Sequence, residues 1–207
     1  MNLYSPKLRF VSNSLKFRFA GLGLVVLLAG CTSTTPLDTF SLSSSPQVQI
    51  AQQRKNVQIL VPTPAALKAL DSENIVVHNA PGSITYLKGA QWGDRLTNLV
   101  QARLVQAFEN SNAVGGVGRP GDGLAINYQV QAELRDFGIN ASSSPQSAKI
   151  ELAVRVLNDK TGEVRSTRIF TATAPVSGAG NQAYIRALDA GFADVTKQIV
   201  AWVVSVI

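Results

Sequence analysis

Apolar side chains alternate with polar ones along much of the stretch between residues 124 and 174, as they do in strands with one buried face. Residues 124–134 and 150–156 show this alternation, and a turn at residues 158–162 leads into residues 164–174. The pattern predicts three successive antiparallel strands. Shorter apolar runs predict further strands at residues 57–61, 75–77 and 84–87. Residues 65–70 predict a short helical turn or loop.

Two segments carry apolar residues at the three- and four-residue spacing of amphipathic helices. They are residues 92–110 and residues 184–206, and the second stays apolar to Ile207. For this last turn we favour burial against the sheet over insertion into a membrane or a partner groove. The helices and strands together predict an α+β two-layer sandwich, with a mixed, mostly antiparallel sheet of about five strands and both long helices on one face.

A glycine-rich segment at residues 115–123 separates the first helix from the long strand. A phosphate-binding loop follows a strand and precedes a helix, whereas this segment has the reverse order and lacks the Gly-Lys-Ser/Thr ending. We therefore interpret it as a flexible connection from helix to strand.

The first thirty residues have the layout of a secretory signal. Four basic residues and no acidic one precede an apolar run at residues 19–29, which is shorter than the roughly 20 residues of a membrane-spanning helix. The run ends in Leu-Ala-Gly-Cys, which resembles the lipobox of bacterial lipoproteins and predicts acylation of Cys31. We expect a signal peptide at residues 1–30, a lipid-anchored tether with room for one edge strand at residues 31–56, and one folded domain at residues 57–207.

Removal of the signal segment lowers the net positive charge of the chain. Four of the 19 basic residues leave with it, so 15 remain against 13 acidic ones. No nucleic-acid partner is predicted from this balance. The only cysteine is the predicted anchor, and the only histidine is His78, which we interpret as a strand-end residue. The sequence therefore suggests neither a metal site, nor a cofactor, nor a catalytic triad, and it disfavours an enzyme such as a periplasmic hydrolase.

Several stretches resemble one protein family, the ABC-type transport auxiliary lipoproteins that serve mammalian-cell-entry (MCE) transport systems. The most specific is the Gln-Trp-Gly-Asp-Arg-Leu stretch at residues 91–96, within the similar region 86–96. The resemblance continues through residues 99–109, 117–119, 133–137 and 187–189.

The resemblance implies an accessory role without catalysis. Such lipoproteins are held on the inner leaflet of the outer membrane and dock an MCE protein, which connects to an ABC permease and ATPase during lipid transport between membranes. Thr32 agrees with this location, because an aspartate in its place marks retention in the inner membrane of enteric bacteria. The resemblance also implies a fold like the amino-terminal domain of TolB, and a capacity to form rings of identical chains. The alternative is a structural or outer-membrane assembly lipoprotein with no role in transport.

The family-like stretch also supplies the candidate partner-binding residues, Gln91, Trp92, Asp94 and Arg95. An aromatic ring beside charged groups is typical of interface hot spots. The other interpretation, which we favour for Trp92, is a core residue at the helix entry with Asp94 near the positive end of the helix dipole. Arg119 and Arg135 are interpreted as surface or sheet-pairing residues.

Overall fold

The computed structural model describes residues 1–2, 36–43 and 47–207. The predicted signal segment and Cys31 lie outside the described residues, apart from the first two positions. Within the described ranges the strands are β1 (Asp38–Phe40), β2 (Arg54–Leu60), β3 (Ala65–Ala66), β4 (Asn74–Ala80), β5 (Ser83–Trp92), β6 (Val114–Gly118), β7 (Tyr128–Asn140), β8 (Ser147–Asn158) and β9 (Val164–Pro175). The helices are α1 (Leu96–Ser111) and α2 (Asn181–Val206).

The long strand β7 organises the sheet. One of its edges pairs antiparallel with β8 from Tyr128 to Asn140, and β8 pairs antiparallel with β9. The other edge pairs in succession with three parallel strands: β2 near Tyr128, β3 near Glu133 and β4 near Gly138. Two further pairs are parallel, β6 with β2 and β1 with β5, whereas β5 pairs antiparallel with β4. The predicted α+β fold with a mixed sheet is confirmed, and the likeness to TolB stays a prediction.

Aromatic rings join the sheet to α2. Trp92 meets Phe137 edge-on with ring centroids 6.0 Å apart, and Phe137 lies 5.7 Å from Phe192 of α2. A second contact joins Phe170 of β9 to Trp202, with centroids 5.4 Å apart. Helix α1 packs beside α2 and against β6. The core therefore lies between the sheet and the helix layer.

The end of α2 is buried, as predicted. Val203 and Val204 are buried, and Ile207 is only 9% exposed. Helix α1 begins at Leu96 instead of residue 92, because Trp92 is still paired with Phe40 in the sheet.

The described chain forms nine strands, more than the five or so that the pattern predicted. The additional strands are short. Ala65–Ala66, expected in a helical turn or loop, pairs with β7 instead. In the same way, the glycine-rich segment is not wholly a flexible connection, since Val114–Gly118 pairs with β2. A side chain at Gly115 would collide with the backbone carbonyl of Lys55, so glycine permits this close approach.

Strand β7 begins four residues later than the alternation predicted. The reason is Asn127, whose side-chain Oδ1 accepts a hydrogen bond from the Gln58 backbone N–H at 2.8 Å. The Asn127 backbone N–H in turn donates to the Gln58 carbonyl at 2.9 Å. These two bonds join the chain to β2 ahead of the regular ladder, and Leu124 is left 39% exposed.

Residues 38–43, here called the strap, fall within the predicted tether and contact the folded domain. Strand β1 lies at the edge of the sheet and corresponds to the one edge strand expected within the tether. After it, the Leu42 carbonyl accepts a hydrogen bond from Arg103 of α1 at 3.0 Å, and the Ser43 N–H donates to Asp189 of α2 at 2.7 Å. The strap thus crosses the helix layer and bonds to both helices.

We expect Leu42→Ala to lower the free energy of unfolding by about 2–4 kcal/mol, since it removes a buried side chain and leaves a cavity. Leu42 is 2% exposed, whereas Leu37, just before the strap, is 50% exposed. Leu37→Ala is therefore the control, with an expected change within about 0.5 kcal/mol. Urea unfolding followed by circular dichroism measures both. Equal midpoints for Leu42→Ala and the unaltered protein would contradict the integration of the strap.

Candidate functional site

The junction between β5 and α1 contains the four candidate partner-binding residues. Backbone bonds hold its strand end from two sides: the Trp92 N–H donates to the Glu73 carbonyl at 2.8 Å, and the Gly93 N–H donates to the Phe40 carbonyl at 2.7 Å. The Trp92 side chain points into the core and is 1% exposed. Trp92 therefore has the core position that we favoured for it.

Charged groups fasten the start of α1 to the chain that precedes β4. Arg95 forms an ion pair with Asp71, in which its Nε donates to Oδ1 at 3.0 Å and a second guanidinium nitrogen contacts Oδ2. The buried Thr97 hydroxyl donates to the same Asp71 Oδ1 at 2.6 Å. These hydrogen bonds, that of Thr97 first and that of Arg95 second, lower the pKa of Asp71 below its ordinary value.

Asp94 lies one residue before the Arg95 cap position. Its Oδ1 accepts hydrogen bonds from the Arg95 backbone N–H at 2.6 Å and from Asn98 Nδ2 at 3.0 Å. A carboxylate here lies next to the amino-terminal end of α1, where the helix dipole is positive. Asp94 thus stabilises the helix entry, as its alternative interpretation proposed.

The structure brings Gln91, Asp94 and Arg95 to the surface of one junction and turns Trp92 away from it. Gln91 is half-buried, and its Nε2 donates to Thr39 of β1 at 3.4 Å. A role of this junction in partner binding stays a prediction. The Trp92 ring could contact a partner only by leaving the core. The sequence did not reveal Asp71, because an ion pair across 24 residues leaves no local spacing pattern.

A second charged cluster crosses strands β4, β7 and β8. His78 Nε2 lies 3.0 Å from Asp136 Oδ1, and Lys149 Nζ lies 3.1 Å from Asp136 Oδ2 and 3.4 Å from Glu151. The Asp136 hydrogen bond is the main cause that raises the pKa of Lys149. A side chain at Gly138 would come within 2.7 Å of His78 Nε2, so the imidazole covers the glycine. These contacts give His78 a structural role in joining strands.

A cavity of about 250 Å³ lies on the sheet where β7, β8 and β9 meet. Its charged lining is paired internally. Arg135 bonds to Glu133 at 3.1 Å, and Arg155 Nε donates to Gln131 at 2.9 Å. In the part of the chain that is described, no group of three or more acidic, histidine or cysteine residues is placed to hold a metal ion. None of the helices within those ranges has the length and apolar character required to span a bilayer.

Solved structures share this architecture. A protein from Xanthomonas campestris, of a family of unknown function, superposes with a TM-score of 0.74 at 26% identity, over 81% of this chain and 95% of its own. An uncharacterised protein superposes at 0.66 with 14% identity, over 82% and 99% of the two chains. A hypothetical protein from Chlamydia trachomatis gives 0.54 at 10% identity, over 72% and 96%. The last two likenesses show the fold alone.

Taken together, the mixed sheet, the two-helix layer and the charged clusters paired across strands define an α+β domain. The chain belongs to the family described as the ABC-type transport auxiliary lipoprotein component, whose model matches residues 40–200. An uncharacterised protein of Bradyrhizobium diazoefficiens is 28% identical over 169 residues, which is 80% of this chain. This chain spans only 44% of the length of that relative. The family match thus confirms the family that the Gln-Trp-Gly-Asp-Arg-Leu stretch predicted.

We expect Asp71→Asn to destabilise the protein at neutral pH and to have a diminishing effect in acid. A carboxyl group whose pKa is lowered by folding contributes stability above its unfolded pKa, and this contribution disappears as the pH falls through the folded pKa. The measurement is urea unfolding at a series of pH values from neutral to strongly acidic.

Glu73→Gln is the matched control for this substitution. Glu73 is exposed and lies two residues from Asp71. We expect Glu73→Gln to follow the unaltered protein across the same pH series. A constant difference between Asp71→Asn and the unaltered protein at every pH would refute the charge-assisted role of Asp71.

Proposed function

We propose that this protein is an accessory lipoprotein of an MCE-type ABC transport system. It docks the MCE component while lipid, either phospholipid or another hydrophobic substrate, passes between the membranes. The family match over residues 40–200 is the observation that carries this proposal. In this role the protein acts by tethering and docking. No cofactor or catalytic group takes part.

The anchor of the proposed lipoprotein is Cys31. Leu28, Ala29 and Gly30 precede it as a lipobox, and residues 1–30 are removed when the thiol is acylated. Several acyl chains hold a protein stably on a bilayer, whereas a single chain binds marginally. Residues 31–56 then connect the anchor to the domain at residues 57–207, and the strap within them bonds to both helices.

The proposed location is the periplasm, on the inner leaflet of the outer membrane. An MCE protein and, through it, the permease and ATPase are the proposed partners, together with further copies of this chain. The exposed Asp94 and Arg95 at the start of α1 offer a charged contact for the MCE protein. Asp71 holds the Arg95 side chain and Asn98 holds the Asp94 carboxylate, so a partner meets a preorganised surface.

Replacement of the anchor tests the first half of the proposal. We expect Cys31→Ala to abolish palmitate incorporation, because no other cysteine is present, and to leave residues 1–30 attached, because their removal depends on acylation. The domain itself should keep its circular dichroism spectrum and its urea midpoint, since the substitution lies before the strap. Palmitate incorporation at the unaltered level in Cys31→Ala would disprove acylation of Cys31.

Photo-crosslinking in intact cells tests the second half. A photoreactive amino acid at Asp94 should capture an MCE protein, identified by mass spectrometry. The same amino acid at Lys197, an exposed position of α2, is the control and should capture it much less. Capture of an outer-membrane barrel or its assembly factors from Asp94, with no MCE protein, would favour the assembly role over transport.

A further inference from the structure

Two exposed apolar side chains lie on β5, and a third lies just before β1. Ile84 and Tyr86 of β5 are 45% and 47% exposed, and Leu37 is 50% exposed. Ile84 and Tyr86 are two residues apart and therefore lie on the same face of the strand. Lys88, two residues further on, is also exposed. An amphipathic tyrosine beside aliphatic groups and a lysine suits the interface between lipid headgroups and acyl chains.

Ile84 and Tyr86 lie toward one end of the sheet. The turn between β4 and β5 at residues 80–83, together with Ile84, Tyr86 and Lys88, is here called the hairpin end. His78 pairs with Asn140, so the hairpin end lies beside the carboxyl end of β7. The turn at residues 158–162 lies beside the amino end of β7. The thirteen residues of β7 place these two turns roughly 40 Å apart along the sheet.

The described chain enters β1 from the side of the hairpin end. Strand β1 runs parallel to β5, with Asp38 opposite Ala90, so Pro36 and Leu37 lie on the side where β5 begins. Residues 32–37 separate Cys31 from Asp38 and span at most about 25 Å. Ser83 lies seven residues before Ala90, which is at most about 23 Å, because the register of β5 against β4 shifts between Tyr86 and Gln91. The connection is thus long enough to place the anchor near the hairpin end, and it is shorter than the sheet.

We propose that the hairpin end rests on the surface of the phospholipid bilayer, with Ile84 and Tyr86 at the level of the headgroups. The turn at residues 158–162 then points away from the membrane into the periplasm. This orientation rests on the proposed acylation of Cys31. The short connection between Cys31 and Asp38 keeps the hairpin end at the bilayer, where its apolar side chains are removed from water.

Site-specific labelling of the full-length acylated protein tests this orientation. The acylated Cys31 leaves no free thiol, so a single introduced cysteine can carry a fluorescent label. The test variants are Ile84→Cys and Tyr86→Cys, and the control is Lys160→Cys in the opposite turn. The proteins are reconstituted in vesicles of phosphatidylethanolamine and phosphatidylglycerol, with a fraction of the lipids carrying a nitroxide quencher on the headgroup.

We expect quenching several-fold stronger at positions 84 and 86 than at position 160. Stronger quenching at position 160, or equal quenching at all three positions, would overturn the orientation. Weak quenching at every position on vesicles that carry the protein would also overturn it, and would leave the hairpin end for a protein partner. Failure of the acylated protein to float with vesicles would refute the anchor itself, so a failure of the proposed function is distinguishable from a failure of the orientation alone.

Discussion

The sheet depends on the pairing of β7, because this strand alone joins its two halves. One edge of β7 holds the β8–β9 hairpin, and the other holds β2, β3 and β4 at successive positions. Parallel strands need long crossover connections, so segments distant in sequence must reach β7 before the ladder is complete. The Trp92, Phe137 and Phe192 rings lie where this hub meets α2, and they place the β5–α1 junction against the same core.

The junction and the strap form one connected unit. Phe40 pairs with Trp92, Gly93 bonds to Phe40, and α1 starts three residues later with its entry held by Asp71. The segment nearest the proposed anchor is therefore bonded to the stretch that is most characteristic of the family. In the proposed function, this arrangement bonds the chain that follows the anchor directly to the candidate partner surface.

Regular patterns predicted the parts of the fold that are long enough to show a period. The β7–β8–β9 meander and both helices follow from alternation and from three- and four-residue spacing. Strands β1, β3 and β6 have five residues or fewer, too short to show a period, and the composition of β6 resembles a loop. At the candidate site, the core position of Trp92 could be anticipated from its place before an apolar stripe. The Asp71 and Thr97 contacts could not, because they arise only when the chain before β4 meets α1.

The parallel pairing of β1 with β5 has a mechanical consequence. A pull on the amino-terminal side of β1 acts along the strand axis, so the backbone hydrogen bonds between β1 and β5 are loaded together in shear and do not open one after another. The hydrogen bonds from Leu42 and Ser43 to Arg103 and Asp189 follow β1 along the chain, so they come under load only after β1 has slipped. A tensile load between a membrane and a docked assembly would therefore be borne first by this short ladder, which acts as a force-bearing joint at the edge of the domain.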